Sequence, residues 1–101
     1  MHVIIWEFVV SNSHRATFEK AYGPDGDWAL LFREAAGYVG TELVRDELIP
    51  DRYLTIDRWT TRDAFIKFKQ SAATVYDDLD RQCEGMTVRE AKVGTFDLVS
   101  S

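Results

Sequence analysis

A chain of 101 residues has room for one domain with a modest core, here taken as residues 1–101, and not for two. Its 46% hydrophobic and 13% aromatic content excludes a disordered chain. Twelve Lys and Arg against seventeen Asp and Glu give a formal charge of −5, with no basic run, so neither nucleic acid nor an anionic membrane surface is an expected partner.

Cys83 is the only cysteine, which excludes an internal disulfide and a Cys-rich metal site. The opening "MHVIIWEFVV" carries no basic leader and meets Glu7 early, and no segment approaches bilayer-spanning length. The expected location is the cytoplasm.

Val3 to Val10 is β-branched and aromatic on both parities apart from Glu7, the pattern of a strand covered on both faces. Ser13 is the expected N-cap of a first helix, in which Phe18, Ala21 and Tyr22 share a face. "YGPDGD" ends it, with Pro24 at the second position of a turn closing on Gly26. Asp27 is the expected cap of a second helix carrying Trp28, Leu31, Phe32 and Ala35 at helical spacing, stopped by Gly37. Tyr38–Leu48 and Arg52–Trp59 read as an antiparallel hairpin turned at Ile49–Arg52. Thr60 and Asp63 form a capping-box pattern for a helix whose stripe runs Phe65, Phe68, Ala72, Tyr76, Leu79, Cys83. A second cap at Thr74 is expected to split that helix. Gly85 ends it, and Met86–Val99 reads as the last strand.

The order β-α-β-β-α-β predicts an α+β, ferredoxin-like domain with a four-stranded antiparallel sheet. Helices cover one face of such a sheet, yet the first strand is apolar on both. A second copy packed on the open face, a homodimer through the sheets, is the economical cover.

No phosphate loop, GxSxG, HExxH or CxxC is present, so no metal site is expected. Asp57 and Trp59 share a strand face with Tyr53 and Thr55, while Leu54, Ile56 and Arg58 lie opposite. Glu7 stands alone among apolar neighbours. A buried carboxylate without a partner costs several kcal/mol or titrates above its usual value of about 4. Two resolutions stay open: pairing with Arg45, Arg52 or Arg58 at a sheet edge, or lining a half-wet cavity where a raised pKa suits a general base. His14, one turn before Phe18, either reaches such a cavity or is an ordinary boundary histidine. The rings of Trp28, Phe32, Phe65, Phe68, Trp6, Tyr53 and Trp59 converge on similar space, which fits a pocket for a flat aromatic ligand as well as a dense core.

"GYVGTELVRD", and above all "TIDRWTTRDAFIKF", resemble the antibiotic biosynthesis monooxygenase domains of the dimeric α/β-barrel superfamily. In those domains the third strand commonly ends in an acidic residue, a spacer and Trp, followed by an Ala-Phe helix start; here these are Asp57, Trp59 and Ala64-Phe65. The likeness spans His2 to Val99. It implies a homodimer and a monooxygenase reaction that needs no cofactor, in which a quinol or phenol supplies the electrons to O2. It further implies that Trp59 is the pocket tryptophan and Asp57 its acidic neighbour. Taken with the residues above, Trp59 is expected to form a pocket wall, Asp57 or Glu7 to be the proton acceptor, and His14 or Tyr53 to hold the substrate oxygen. Two departures matter. Many members carry a His on the helix nine residues after that Trp, where this chain has Phe68, and the haem-degrading members use an Asn in the first strand, which Val3–Val10 lacks. Both argue against haem. A non-catalytic, ligand-binding or sensing dimer is the rival reading.

Overall fold

The computed structural model describes residues 1–99. β1 (His2–Val9) leads through a 3-10 turn (Asn12–His14) into α1 (Arg15–Tyr22) and then α2 (Asp27–Phe32). β2 (Tyr38–Arg45) and β3 (Arg52–Trp59) follow as a hairpin, then α3 (Arg62–Ser71), α4 (Ala73–Cys83) and β4 (Arg89–Asp97). The sheet is antiparallel throughout in the order β2-β3-β1-β4, so β1 and β3 are central. This is the expected α+β, ferredoxin-like fold with a four-stranded antiparallel sheet.

The element ends differ from the sequence expectations for local reasons. Ser13 lies inside the 3-10 turn, and no side chain caps α1. Gly26, not Asp27, is the N-cap of α2; a side chain at Gly26 would run into the Lys20 and Ala21 carbonyls at 2.4 and 2.5 Å. The turn from Gly23 to Gly26 is as expected, closed by the Gly26 N–H on the Gly23 carbonyl at 3.0 Å. β2 stops at Arg45 rather than Leu48. The Asp46 carboxylate accepts from the Leu48 and Ile49 N–H groups (2.8 and 3.0 Å) and from Arg52 (3.0 Å), which curls the chain out of the ladder. Thr61, one residue beyond Thr60, caps α3 by accepting the Ala64 N–H at 3.1 Å. The break before α4 falls at Ala72, and no side chain caps it, so Thr74 plays no such part. β4 runs Arg89–Asp97, shorter than Met86–Val99.

Gly37 has φ +92°, and a Cβ there would meet the Ala64 Cβ at 2.6 Å. This close approach, with the Thr60 N–H on the Gly37 carbonyl at 2.7 Å, ties the end of β3 to the start of β2 under α3.

The core lies between the sheet and the helices, with Trp59, Tyr53, Phe18 and Val10 fully enclosed. The predicted stripe holds: Phe68 and Cys83 are buried there, with Phe65, Ala72, Tyr76 and Leu79 packed against them. On the open face of the sheet Val3 is buried and Ile5, Leu54 and Ile56 are half-buried, while Val44 and Phe96 stand exposed. Among the described residues no helix is long and apolar enough to cross a membrane.

Candidate functional site

A cavity of about 240 Å³ opens between the helix-covered face of the sheet and α1, α2 and α4. Trp6 and Phe8 of β1, Trp28 and Phe32 of α2, Tyr22 of α1 and Tyr76 of α4 supply aromatic walls. The polar lining comes from Thr41, Thr55 and Asp57 inside, with Lys69, Asp80 and Glu90 on exposed stretches around it.

Strand alternation delivers Asp57 to this space. In the register β1 sets Ile4 beside Asp57, Trp6 beside Thr55 and Phe8 beside Tyr53, so all share the helix side. On its other flank Asp57 pairs with Thr41. A bulge at Val39 shifts the β2 register between Tyr38 and Gly40, which brings Tyr38 and Thr41, three apart, onto one face. The Thr41 hydroxyl donates to Asp57 Oδ1 at 2.6 Å, and since its single hydrogen is spent there, Tyr38 O–H donates to Thr41 Oγ1, also at 2.6 Å. Among the described residues no ion pair offsets the burial of Asp57. Desolvation pushes its carboxyl up to about 6, against a smaller downward pull from the Thr41 hydrogen bond.

Burial makes the phenols around it weaker acids as well. Burial, then the charges of Asp80, Asp57 and Glu90, push Tyr76 up to about 12. Burial also raises Tyr38 and holds Tyr22 far above the ordinary range. These hydroxyls stay protonated near neutral pH and serve as donors, which leaves Asp57 as the proton acceptor of the inner cavity. Among the described residues the indole N–H of Trp28, like that of Trp59 in the core, has no hydrogen-bond acceptor. Among the described residues, no three His, Cys, Asp or Glu side chains gather closely enough to hold a metal ion.

The sequence candidates separate in space. Asp57 and Trp28 line the cavity. Trp59 does not: it is 0% exposed, with Phe32, Tyr38, Phe65 and Phe68 rings at 5.3–5.6 Å, so the expected pocket wall is instead core. Phe68 belongs to the same cluster, edge-on to Phe32 at 5.4 Å. Tyr53 is buried against Phe18, and its hydroxyl donates to Glu19 rather than facing the cavity. His14 is exposed in the 3-10 turn, its Nδ1 2.9 Å from the Ser11 hydroxyl. Glu7 points to the opposite face of the sheet, where Arg52 Nε donates to it at 2.6 Å and Arg89 lies at 3.5 Å. Thr41, Tyr76, Lys69, Asp80 and Glu90 were not singled out from the sequence. Alternation alone puts Tyr38 and Thr41 on opposite faces, and a second bulge, in β4 opposite Ile5 and Trp6, similarly obscures which way Glu90 points.

Three solved structures of similar shape, each below 25% identity, establish the fold. A protein from Deinococcus radiodurans assigned to the antibiotic biosynthesis monooxygenases superposes with a TM-score of 0.78 at 13% identity, covering 100% of this chain and 95% of its own. SnoaB, a cofactor-independent oxygenase from Streptomyces nogalater, gives 0.71 at 18% identity over 99% of this chain and 94% of its own. PA3566 from Pseudomonas aeruginosa gives 0.67 at 14% identity over 98% and 94%. No curated protein matches the chain by sequence. The sequence model for antibiotic biosynthesis monooxygenases matches residues 1–74, a span that includes β1 to β3, Asp57 and all of α3, and the chain belongs to that family.

Proposed function

We propose that this protein is a cofactor-independent monooxygenase-type oxidoreductase that oxidises a small aromatic or quinol-like molecule with O2. The observation that carries the reading is Asp57: a carboxylate at the wall of an aromatic cavity, with one hydroxyl partner and no ion pair among the described residues. Such an arrangement costs stability and makes a competent base near neutral pH.

Asp57 takes the phenolic or benzylic proton of the bound substrate, and the ring walls keep bulk water from the anion. Thr41 fixes one carboxylate oxygen, and Tyr38 fixes Thr41. The substrate anion then passes electrons to O2. For a methylene carbon beside the ring, one oxygen atom ends as the carbonyl and the other leaves as water with the two hydrogens that carbon loses. The substrate supplies every electron, so the reaction calls for no flavin, haem or metal. Trp28 is a substrate contact, whereas Trp59 and Phe68 back the lining from the core. Glu7, His14 and Tyr53 take no part.

The working unit is a homodimer joined through the open sheet face. Its apolar centre of Val3, Ile5, Leu54 and Ile56 is flanked by the Glu7–Arg52 and Arg58–Glu42 ion pairs, a core-and-rim pattern that suits an interface. Sedimentation at micromolar concentration should give twice the 11.6 kDa chain mass, and a clean monomer would remove this part. The enzymatic reading is tested by oxygen-electrode assays over a panel of quinols and anthrone-like phenols. Wild type should consume O2 and Asp57→Asn should not. Ligand-induced thermal shifts without turnover on any member would replace it by a binding or sensing dimer.

A further inference from the structure

The margin of the cavity carries charge that proton abstraction by Asp57 does not use. Asp57, Asp80 and Glu90 face a space that holds one cationic side chain, Lys69. None of the four takes part in an ion pair among the described residues. Burial and the neighbouring charge of Asp80 make Glu90 a weaker acid, as expected for carboxylates that share a site without a counter-ion.

Lys69 shows where a cation settles. Its Nζ stands over the face of Tyr76, 4.0 Å from the ring centroid, in cation–π geometry. Tyr76 lines the cavity, and its hydroxyl feels the charges of Asp80, Asp57 and Glu90. The ring face and the carboxylates therefore attract positive charge together. Lys69 reaches this place on a flexible stem from an exposed position and can leave it without breaking a hydrogen bond.

We infer that the cavity selects a flat aromatic ligand bearing a protonated amine, with its ring among Trp6, Trp28 and Phe32 and its ammonium by Tyr76, Asp80 and Glu90, in the seat Lys69 takes in the free protein. An aromatic carboxylate of the same size meets like charges there and is rejected. The inference rests on the reading of this cavity as the ligand site and not on its oxygen chemistry.

Calorimetric titration at pH 7.5 and low salt with three probes matched in size separates the possibilities: 2-naphthylmethylammonium, 2-naphthylmethanol and 2-naphthoate. The cation should bind tightest and the carboxylate weakest, about tenfold or more apart. Asp80→Asn and Glu90→Gln, both at exposed positions, should each weaken the cation about three- to fivefold and spare the alcohol. Lys69→Met should tighten the cation, because a competing ammonium is gone. The reverse order, with Lys69→Met abolishing naphthoate binding, would make Lys69 an anion clamp and overturn the proposal. Equal affinities, or no binding by any probe, overturn it too. Loss of the oxygenase reading through absent O2 uptake leaves the charge order standing, so the two failures are told apart.

Discussion

Glu7 and Asp57 sit on the two central strands of one sheet, and the two faces treat them in opposite ways. On the open face Glu7 is held between Arg52 and Arg89, and Arg52 is itself held by Asp46. On the helix-covered face Asp57 has a threonine hydroxyl and aromatic neighbours, and no ion pair among the described residues. A paired carboxylate on the open face of a sheet is what a fold uses to stay soluble and in register. A carboxylate left unpaired in a desolvated cavity opposes folding, and its retention calls for a use.

The largest effect expected on this contrast concerns what surrounds the cavity. Trp59→Ala removes a fully enclosed ring touching four others and should cost about 3–5 kcal/mol, most of the stability of so small a domain. Denaturant melts read this directly. A folded variant with little loss and a larger pocket would return Trp59 to the cavity wall.

Asp57→Asn should do the opposite. In the unfolded chain Asp57 ionises near its ordinary 3.8 and in the fold only near about 6, so folding takes up a proton between those values. The contribution of Asp57 to stability therefore falls as pH rises from about 4 to about 6 and stays low above. The asparagine variant should gain up to about 3 kcal/mol over wild type at pH 8 and little at pH 3.5, while losing O2 consumption. Comparing the two proteins at each pH cancels the other groups, including Asp46, whose lowered pKa has the opposite sign.

Thr41→Val keeps the shape and removes the hydroxyl that steadies the charged form. The Asp57 carboxyl should titrate above about 6, and stability at pH 8 should drop by about 1–2 kcal/mol, with less change at pH 4. The smallest effect belongs to the open face. Glu7→Gln weakens partly exposed ion pairs and should cost about 1 kcal/mol or less, shrinking further at high salt, with O2 uptake unchanged. Abolished uptake in that variant would move the chemistry to the other side of the sheet.

Alternation in "RYLTIDRW" was enough to place Tyr53, Thr55, Asp57 and Trp59 on one face, and the apolar stripe from Phe65 to Cys83 was enough to lay α3 and α4 over the core. Depth was not legible. Parity says which way Trp59 points, but only the convergence of Phe32, Tyr38, Phe65 and Phe68 decides that it is sealed while Asp57, two residues earlier, is not. The partner of Asp57 was hidden by the bulge at Val39, of which Gly40 beside it was the one sequence sign, and the Thr60–Asp63 pattern pointed one residue short of the cap at Thr61. For Glu7, the sequence offered Arg52 as one of several partners, and the register between β1 and β3 made the choice by pairing Val9 with Arg52 two residues along.

The central claim is that Asp57 is an unpaired, desolvated carboxylate poised near neutrality. Titration of its side-chain carboxyl carbon by NMR, assigned by comparison with Asp57→Asn, measures this without a substrate. The account predicts a midpoint at about 6, moving higher in Thr41→Val. A midpoint at or below the ordinary 3.8 would mean that a cation or water stabilises the charge, and Asp57 would then be no more a base than Glu7.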